Sequence, residues 1–313
     1  MDKNLKIILP GGAGLVGQNL IVRLLELGFK NIVVLDKHRK NLEILRRIQP
    51  DIISEYADLA EPGDWELHFK DAKLVVMLQA QINGSNENFF VRNNVSSTKL
   101  IIDVMKCYQV PFIVHVSSSV VESIADDFYS NTKREQEKII LESGIDNVVL
   151  RPTLMFGWFD RKHFGWLSRF MKKVPIFPIP GDGKYIRQPL YVGDFCNIII
   201  SCIESRISEQ IFNISGLNRV FYIDIIRAIK KVTKARTLIL KLPYKVFFYL
   251  LKIWGLFDPY PPFTTEQLTA LITREEFEII DWPTIFDVTP TPLEEAILLT
   301  YSHPVYSKII LEF

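Results

Sequence analysis

Tyr129 and Lys133 stand four residues apart in the run Tyr129-Ser130-Asn131-Thr132-Lys133. On a helix that spacing puts both side chains on one face, one turn apart. A phenol, with an ordinary pKa of about 10, is a poor acid–base group at neutral pH. A neighbouring ammonium favours the phenolate and lowers that value. Such a pair suits proton transfer to or from a carbinol or carbonyl oxygen while a hydride moves. Ser117, Ser118 and Ser119 follow the apolar run 112–116. A hydroxyl there can hydrogen-bond a reacting oxygen, or simply cap the end of a strand. Taken alone, the Tyr-x-x-x-Lys spacing also fits an exposed helix face.

A second constellation is Pro10-Gly11-Gly12-Ala13-Gly14-Leu15-Val16-Gly17, spaced G-x-x-G-x-x-G. It separates a short apolar run, 6–9, from a helical pattern over 15–27. In that setting one glycine makes a tight turn, one lets backbone approach a pyrophosphate, and one lets helix and strand pack closely. The helix N-terminus then offers N–H groups and a positive dipole end to phosphate. Gly11, Gly14, Leu15, Val16 and Gly17 are the expected contacts. Asp36 closes the second apolar run and is placed to accept from adenosine ribose hydroxyls. A carboxylate repels a 2′-phosphate, so NAD is expected over NADP. Lys37, His38 and Arg39 follow at once and keep NADP open, unless they form a solvated basic turn. Asp58 and Leu59 either meet the adenine or cap a loop.

The elements that must position these groups alternate along the chain. Apolar runs at 6–9, 31–35, 52–56, 74–78, 112–116 and 147–150 read as strands. Helical patterns at 15–27, 40–48, 94–108 and 129–143 lie between them. That alternation predicts βαβ units and a doubly wound parallel sheet, the Rossmann fold of the α/β class. Asp126 and Asp127 are N-cap candidates for the 129–143 helix. Asn94 is an N-cap or a structural hydrogen-bonder. The character changes after Arg151-Pro152, where Pro175, Pro178, Pro180 and Pro189 cluster with Gly181 and Gly183. We expect a dinucleotide-binding domain over 1–152. Residues 153–313 should be mainly substrate-binding, with some segments returning to the sheet.

Composition narrows the function classes. The 313 residues carry 37 Lys+Arg against 36 Asp+Glu, a formal charge of +1. Nucleic-acid binding wants a basic excess, so it is not expected. Three cysteines without CxxC spacing give neither a disulfide framework nor a zinc site. The five histidines show no ligand spacing, so no metal is expected. No signal peptide and no bilayer-spanning run is read, which predicts a cytoplasmic protein. The stretch 244–257 is almost wholly apolar, with Lys245 and Lys252 as its only charges. It reads either as an amphipathic anchor on the inner face of a membrane or as a helix packed over the cleft or in a dimer contact. A proline-rich link, 259–262, and a helix over 265–272 follow. The tail 304–313 should dock as a strand or pack on the domain.

In combination these residues resemble the extended short-chain dehydrogenase/reductases, in the NAD-dependent epimerase/dehydratase branch. The resemblance covers roughly residues 4–216. It rests on the glycine loop, Asp36, Asp58-Leu59, Asn94-Val95 with Thr98, the serines, Tyr129-x-x-x-Lys133 and Arg151-Pro152-Thr153. Gly181-Asp182-Gly183 and the run from Arg187 to Asp194 look like that family's substrate-side signature. The resemblance implies an epimerase or keto-reductase that moves hydride at C4 of a nucleotide-diphosphate sugar. It implies Tyr129 as acid–base, Lys133 on the nicotinamide ribose, and Ser118, with Ser119 as fallback, on the reacting oxygen. Gln79, Ala80, Asn94 and Pro152 would line the cofactor. Thr153 and Ser119 would meet substrate, and Arg187 its diphosphate. A homodimer through the 94–108 and 129–143 helices is implied too.

The sequence departs from the family pattern in several places. Pro10 replaces the usual threonine, Met77-Leu78-Gln79-Ala80 replaces His-Leu-Ala-Ala, and Glu122-Ser123 replaces Tyr-Gly. Val120-Val121 stands where dehydratases carry an acidic pair, which argues against a 4,6-dehydratase. Two other readings stay open: a dehydrogenase of a hydrophobic, sterol-like alcohol, and a non-catalytic dinucleotide-binding scaffold. The latter resembles the accessory subunit of respiratory complex I in 175–189 and around Phe263-Thr264-Thr265.

Overall fold

Short β-branched and leucine runs form strands wherever both of their faces can be buried. In the computed structural model, which describes residues 2–257, 263–272 and 276–312, six strands precede residue 153. They are β1 (Ile7–Pro10), β2 (Ile32–Asp36), β3 (Ile53–Tyr56), β4 (Leu74–Met77), β5 (Phe112–Val116) and β6 (Asp146–Pro152), all but β3 largely buried. Helices α1 (Leu15–Glu26), α2 (Arg39–Ile48), α3 (Glu87–Phe90), α4 (Ser97–Cys107) and α5 (Phe128–Leu141) alternate with them. The rest begins β7 (Met155–Phe156), α6 (His163–Lys173), β8 (Ile176–Pro180), β9 (Ile186–Arg187), β10 (Leu190–Tyr191) and α7 (Val192–Ser205). It continues β11 (Gln210–Ile214), β12 (Val220–Phe221), α8 (Tyr222–Thr233), β13 (Leu238–Leu242), α9 (Tyr244–Phe257), α10 (Thr265–Ile272), α11 (Trp282–Phe286) and α12 (Leu293–Ser302). The expected proline-rich link at 259–262 lies outside the described residues.

One seven-stranded sheet runs β11-β6-β5-β4-β1-β2-β3. Every pairing in it is parallel. The fold is therefore the expected doubly wound α/β sheet. Side chains alternate between its faces at period two. Ile7, Leu9, Val34 and Val114 enter the core shared with α1 and α7. Ile8, Val33, Val75 and Ile113 enter a second core with Ile101 and Met105 of α4 and Ile140 of α5. Each fully buried Leu, Ile or Val contributes roughly 1.5–3 kcal/mol of burial. The order reverses between β1 and β4, which puts the switch point, where such sheets take ligands, beside the glycine loop.

One segment differs from expectation. The helix expected at 94–108 starts earlier, at α3, capped by Asn86 accepting from the Asn88 N–H at 3.0 Å. It then widens into a π-turn over Val91–Ser96 before α4. Asn94 therefore lies inside a helix and is no N-cap. Of the two forms expected for the tail, the described residues show the second, packing on the domain. Leu311 is buried with Val22, Trp158 and Phe159. The Asn41 amide donates to the Glu312 carbonyl at 2.8 Å and accepts from its N–H at 2.9 Å.

Candidate active site

The glycine loop is built by contacts that only hydrogen side chains allow. Gly11 has φ +75°, and a Cβ there would stand 2.5 Å from Gln79 backbone across the switch point. A Cβ on Gly17 would stand 2.2 Å from the Gly12 carbonyl oxygen. Gly14 is the N-cap of α1, with no side-chain cap and no acidic residue in the first turn. Its opening N–H groups suit an anion. Beside them, Asp36 accepts from the Ala13 N–H at 3.1 Å and the His38 N–H at 2.9 Å. Burial raises its pKa, and these N–H groups oppose the rise.

The three basic residues after Asp36 are each engaged. Lys37 donates to the Asn93 side chain. His38 caps α2, its Nδ1 accepting from the Asn41 N–H at 3.3 Å. The Arg39 guanidinium sits 3.8 Å over the Tyr56 ring. Farther along, burial pushes the Asp58 carboxyl up, but Arg92, whose Nη1 donates to it at 2.8 Å, holds it below its ordinary value. Leu59 buries its side chain in the α4–α5 core, which accounts for it without a ligand. Arg92 was not legible as a site residue; its one signal is a guanidinium two residues before Asn94.

Gln79, Thr98, Asn94 and Gln136 form one buried polar cluster. Thr98 Oγ1 accepts from Gln79 Nε2 at 3.3 Å and Gln136 Nε2 at 2.9 Å, and donates to the Asn94 carbonyl at 2.6 Å. Asn94 Oδ1 accepts from the Gln81 N–H at 2.6 Å, and its Nδ2 donates to Thr132 Oγ1 at 3.0 Å. The π-turn thus aims Asn94 at both the β4 exit and α5. Ala80, next to Gln79, is exposed. Pro152 ends β6, and the Thr153 N–H donates to the Ile214 carbonyl at 2.9 Å. Gln79 Oε1 and Thr153 Oγ1 are buried polar atoms without a hydrogen-bond partner at the exits of β4 and β6.

Asp127 caps α5, accepting from the Ser130 N–H at 2.9 Å. That cap sets Tyr129 in the first turn and Lys133 one turn on. The Tyr129 phenol lies near the Ser118 hydroxyl. Burial raises its pKa, and the Ser118 hydroxyl opposes the rise. Ser119 opens the turn that follows. Lys133 is fully buried and donates to the Val116 carbonyl at 3.1 Å and Gln136 Oε1 at 2.6 Å. Burial pulls its pKa down to about 7, against the opposing charge of Glu137. The ammonium effect on Tyr129 expected from the spacing is therefore not what this structure contains. The i, i+4 relation holds, but the amine turns toward β5.

Behind Lys133 lies an ion pair that the sequence reading left out. Glu137 receives Arg151 through Nε at 3.1 Å and through Nη2, and accepts from Ser117 Oγ at 2.8 Å. Its signal was a second i, i+4 step, Lys133 to Glu137. Arg187 lies on β9, donating to the Ile186 carbonyl at 2.6 Å and to the Leu271 carbonyl. Asp194 accepts from Thr291 N–H and Oγ1 at 3.0 and 2.6 Å, which pins the 290 loop to α7. A cavity of about 270 Å³ beside it, lined by Pro189, Gly216, Asn218 and Trp282 among others, contains none of the glycine-loop, Ser118 or Tyr129 groups.

Switch point, glycine loop and a Ser–Tyr–Lys group beside it define a dinucleotide-dependent Rossmann protein. Residues 7–215 match the model of the NAD dependent epimerase/dehydratase family, and the chain belongs to that family. A putative UDP-glucose 4-epimerase of Methanocaldococcus jannaschii is 26% identical over 261 residues, 71% of this chain and 81% of that protein. The sterol-4-alpha-carboxylate 3-dehydrogenase of Saccharomyces cerevisiae is 26% identical over 189 residues, 52% of this chain and 54% of its own. The UDP-glucuronic acid 4-epimerase of Bacillus cereus, solved in complex with NAD, superposes with a TM-score of 0.73. It is 20% identical, with 95% of this chain and 98% of the other covered, a likeness that establishes the fold.

Proposed function

We propose that this chain binds NAD along the glycine loop and acts on a nucleotide-diphosphate sugar as a 4-epimerase or 4-keto-reductase. The observation that carries the reading is the setting of Tyr129 beside Ser118, one helical turn from Lys133 and beside the switch point. Family membership and the sugar-nucleotide relatives support the substrate class. The residues present fit the cofactor. Glycines 11 and 17 leave backbone where a Cβ would clash, and Gln79 Oε1 and Thr153 Oγ1 are buried polar atoms with capacity to spare. Asp36 would hold the adenosine ribose and disfavour a 2′-phosphate, because Lys37, His38 and Arg39 are engaged elsewhere. Leu15, Val16 and Gly14 would meet the pyrophosphate.

When bound, NAD supplies hydride acceptance and donation at the sugar's C4. Tyr129 takes the proton of the C4 hydroxyl, or returns it, with Ser118 holding that oxygen. Lys133 releases Gln136 to meet the nicotinamide ribose, and its charge then favours the phenolate. Thr153 and Ser119 flank the sugar, and Arg187 leaves Leu271 to pair with the diphosphate. An epimerase keeps its cofactor between turnovers; a reductase exchanges it.

The test begins with denaturing the purified protein and identifying released nucleotide by mass spectrometry. Stoichiometric NAD supports the epimerase. Reversible NADH binding to an empty protein supports the reductase. Binding of no dinucleotide overturns the reading of the loop. Turnover is then measured on a panel of sugar nucleotides, with Tyr129→Phe expected to lose ~10²–10⁴-fold in kcat while still binding NAD. The exposed apolar α9 favours a second reading, a dehydrogenase of a hydrophobic alcohol, so sterol-like alcohols join the panel. Bound cofactor with no turnover on either class would leave the scaffold reading standing.

A further inference from the structure

We propose that α9 lies in the surface of an anionic membrane and tethers the protein there, whatever its substrate. A soluble helix normally hides its apolar stripe. α9 hides little: Phe247 alone among its residues is buried. Val246, Leu250, Ile253 and Phe257 recur at i, i+4, i+7 and i+11, so they form one stripe. They are 47, 53, 52 and 85% exposed. Tyr249 and Leu256, at 61 and 78%, widen it. The opposite face holds α9 to the body, where Phe247, Leu251 and Trp254 close over Trp166 and Phe177 around a small apolar cavity. Lys245 and Lys252, seven residues apart, fall along one border of the outward stripe. Lysines so placed can reach headgroups while their stems cover the apolar boundary.

Charge names the occupant. Residues 225–257 contain no Asp or Glu. They carry Arg227 and Lys231, which pair with Asp224 and Glu294, and Lys230, Lys234 and Arg236 before β13, then Lys241, Lys245 and Lys252. The whole chain is only +1, so this excess is local. β13 adds Leu238 and Leu240, exposed by 67 and 45%, between the two basic groups. A basic segment without acidic residues of its own, leading into an outward apolar stripe bordered by Lys245 and Lys252, complements anionic lipid, where each basic residue adds attraction within a Debye length. A second copy of this chain would bring the same positive surface against itself. No helix among the described residues is long and apolar enough to cross a membrane, so on this proposal α9 lies in the plane.

The test is flotation of the purified full-length protein with vesicles of phosphatidylcholine alone or with one third phosphatidylglycerol. We expect binding to the anionic vesicles at least about tenfold stronger than to the neutral ones, falling as salt rises. Leu250→Asp with Ile253→Asp should abolish flotation, and Lys245→Glu with Lys252→Glu should weaken it about tenfold or more. Both variants should keep the wild-type circular dichroism spectrum and melting temperature, which separates lost docking from lost folding. A folded wild type that fails to float with anionic vesicles overturns the proposal. So does flotation unchanged by the α9 substitutions, or a wild-type dimer that the same substitutions split without any vesicle binding.

Discussion

Lys133 is a fully buried amine whose hydrogen bonds go to Val116 and Gln136, and this has a consequence for pH. Its pKa in the fold is about 7, because burial disfavours the charge. In the unfolded chain the same amine titrates at roughly 10.4. Between those values the unfolded chain holds the proton and the fold does not. Stability of the cofactor-free protein should therefore rise with pH across that window, by up to about 1.4 kcal/mol per unit from this group, and level off below pH 7. Denaturant melts of wild type and Lys133→Met at pH 7, 8 and 9 check this. An equal slope in both proteins would remove the assignment. Residue types and spacings at this site were legible: the glycines, Asp36, Ser118, Tyr129 and Lys133. Which way a lysine turns was not. Spacing fixes the helix face, while the rotamer answers to Gln136 and Val116, three residues on and one strand away.

Among elements, the six strands before residue 153 were legible, most of them because burial on both faces makes their sequences largely apolar; β11, exposed or half-buried along most of its length, was not. The limits of those six came within a residue or two. The π-turn at Val91–Ser96 was not, since one extra residue per turn leaves no pattern in side-chain type. The turn over Asp64–Phe69 also escaped, because its buried anchors Trp65 and Phe69 are embedded among acidic residues. The tail was half legible. Its apolar character was plain, but its seat depends on Asn41, far away in sequence. That seat has measurable worth. Leu311→Ala, at a position with no exposed surface, should cost about 2–4 kcal/mol, read as a lower urea midpoint at unchanged m. A change under half a kcal/mol would show that the tail is merely laid against α1 and α2.

At the scale of the whole molecule, the family likeness leads us to propose a homodimer through α4 and α5. Sedimentation equilibrium should then give twice the 36.2 kDa chain mass, and a single-chain mass at micromolar concentration would reject it. No helix among the described residues is long and apolar enough to cross a membrane. The pairing of β11 with β6 was the least legible feature of the fold, for a strand's partner across sixty residues is decided by topology rather than by its own composition. That pairing also sets a clock. β6 ends at Pro152, while its neighbour ends at Ile214. On a ribosome adding ~5–20 residues per second, the outer edge of β6 waits roughly 3–12 s for its hydrogen-bonding partner to emerge. Through that interval the nascent chain presents Val148, Val149 and Leu150 on an open strand edge. Such edges recruit other strands. Synthesis of this protein is thus its most aggregation-prone moment, and its yield in cells should follow translation speed and chaperone supply between those two strands more closely than the stability of the finished fold.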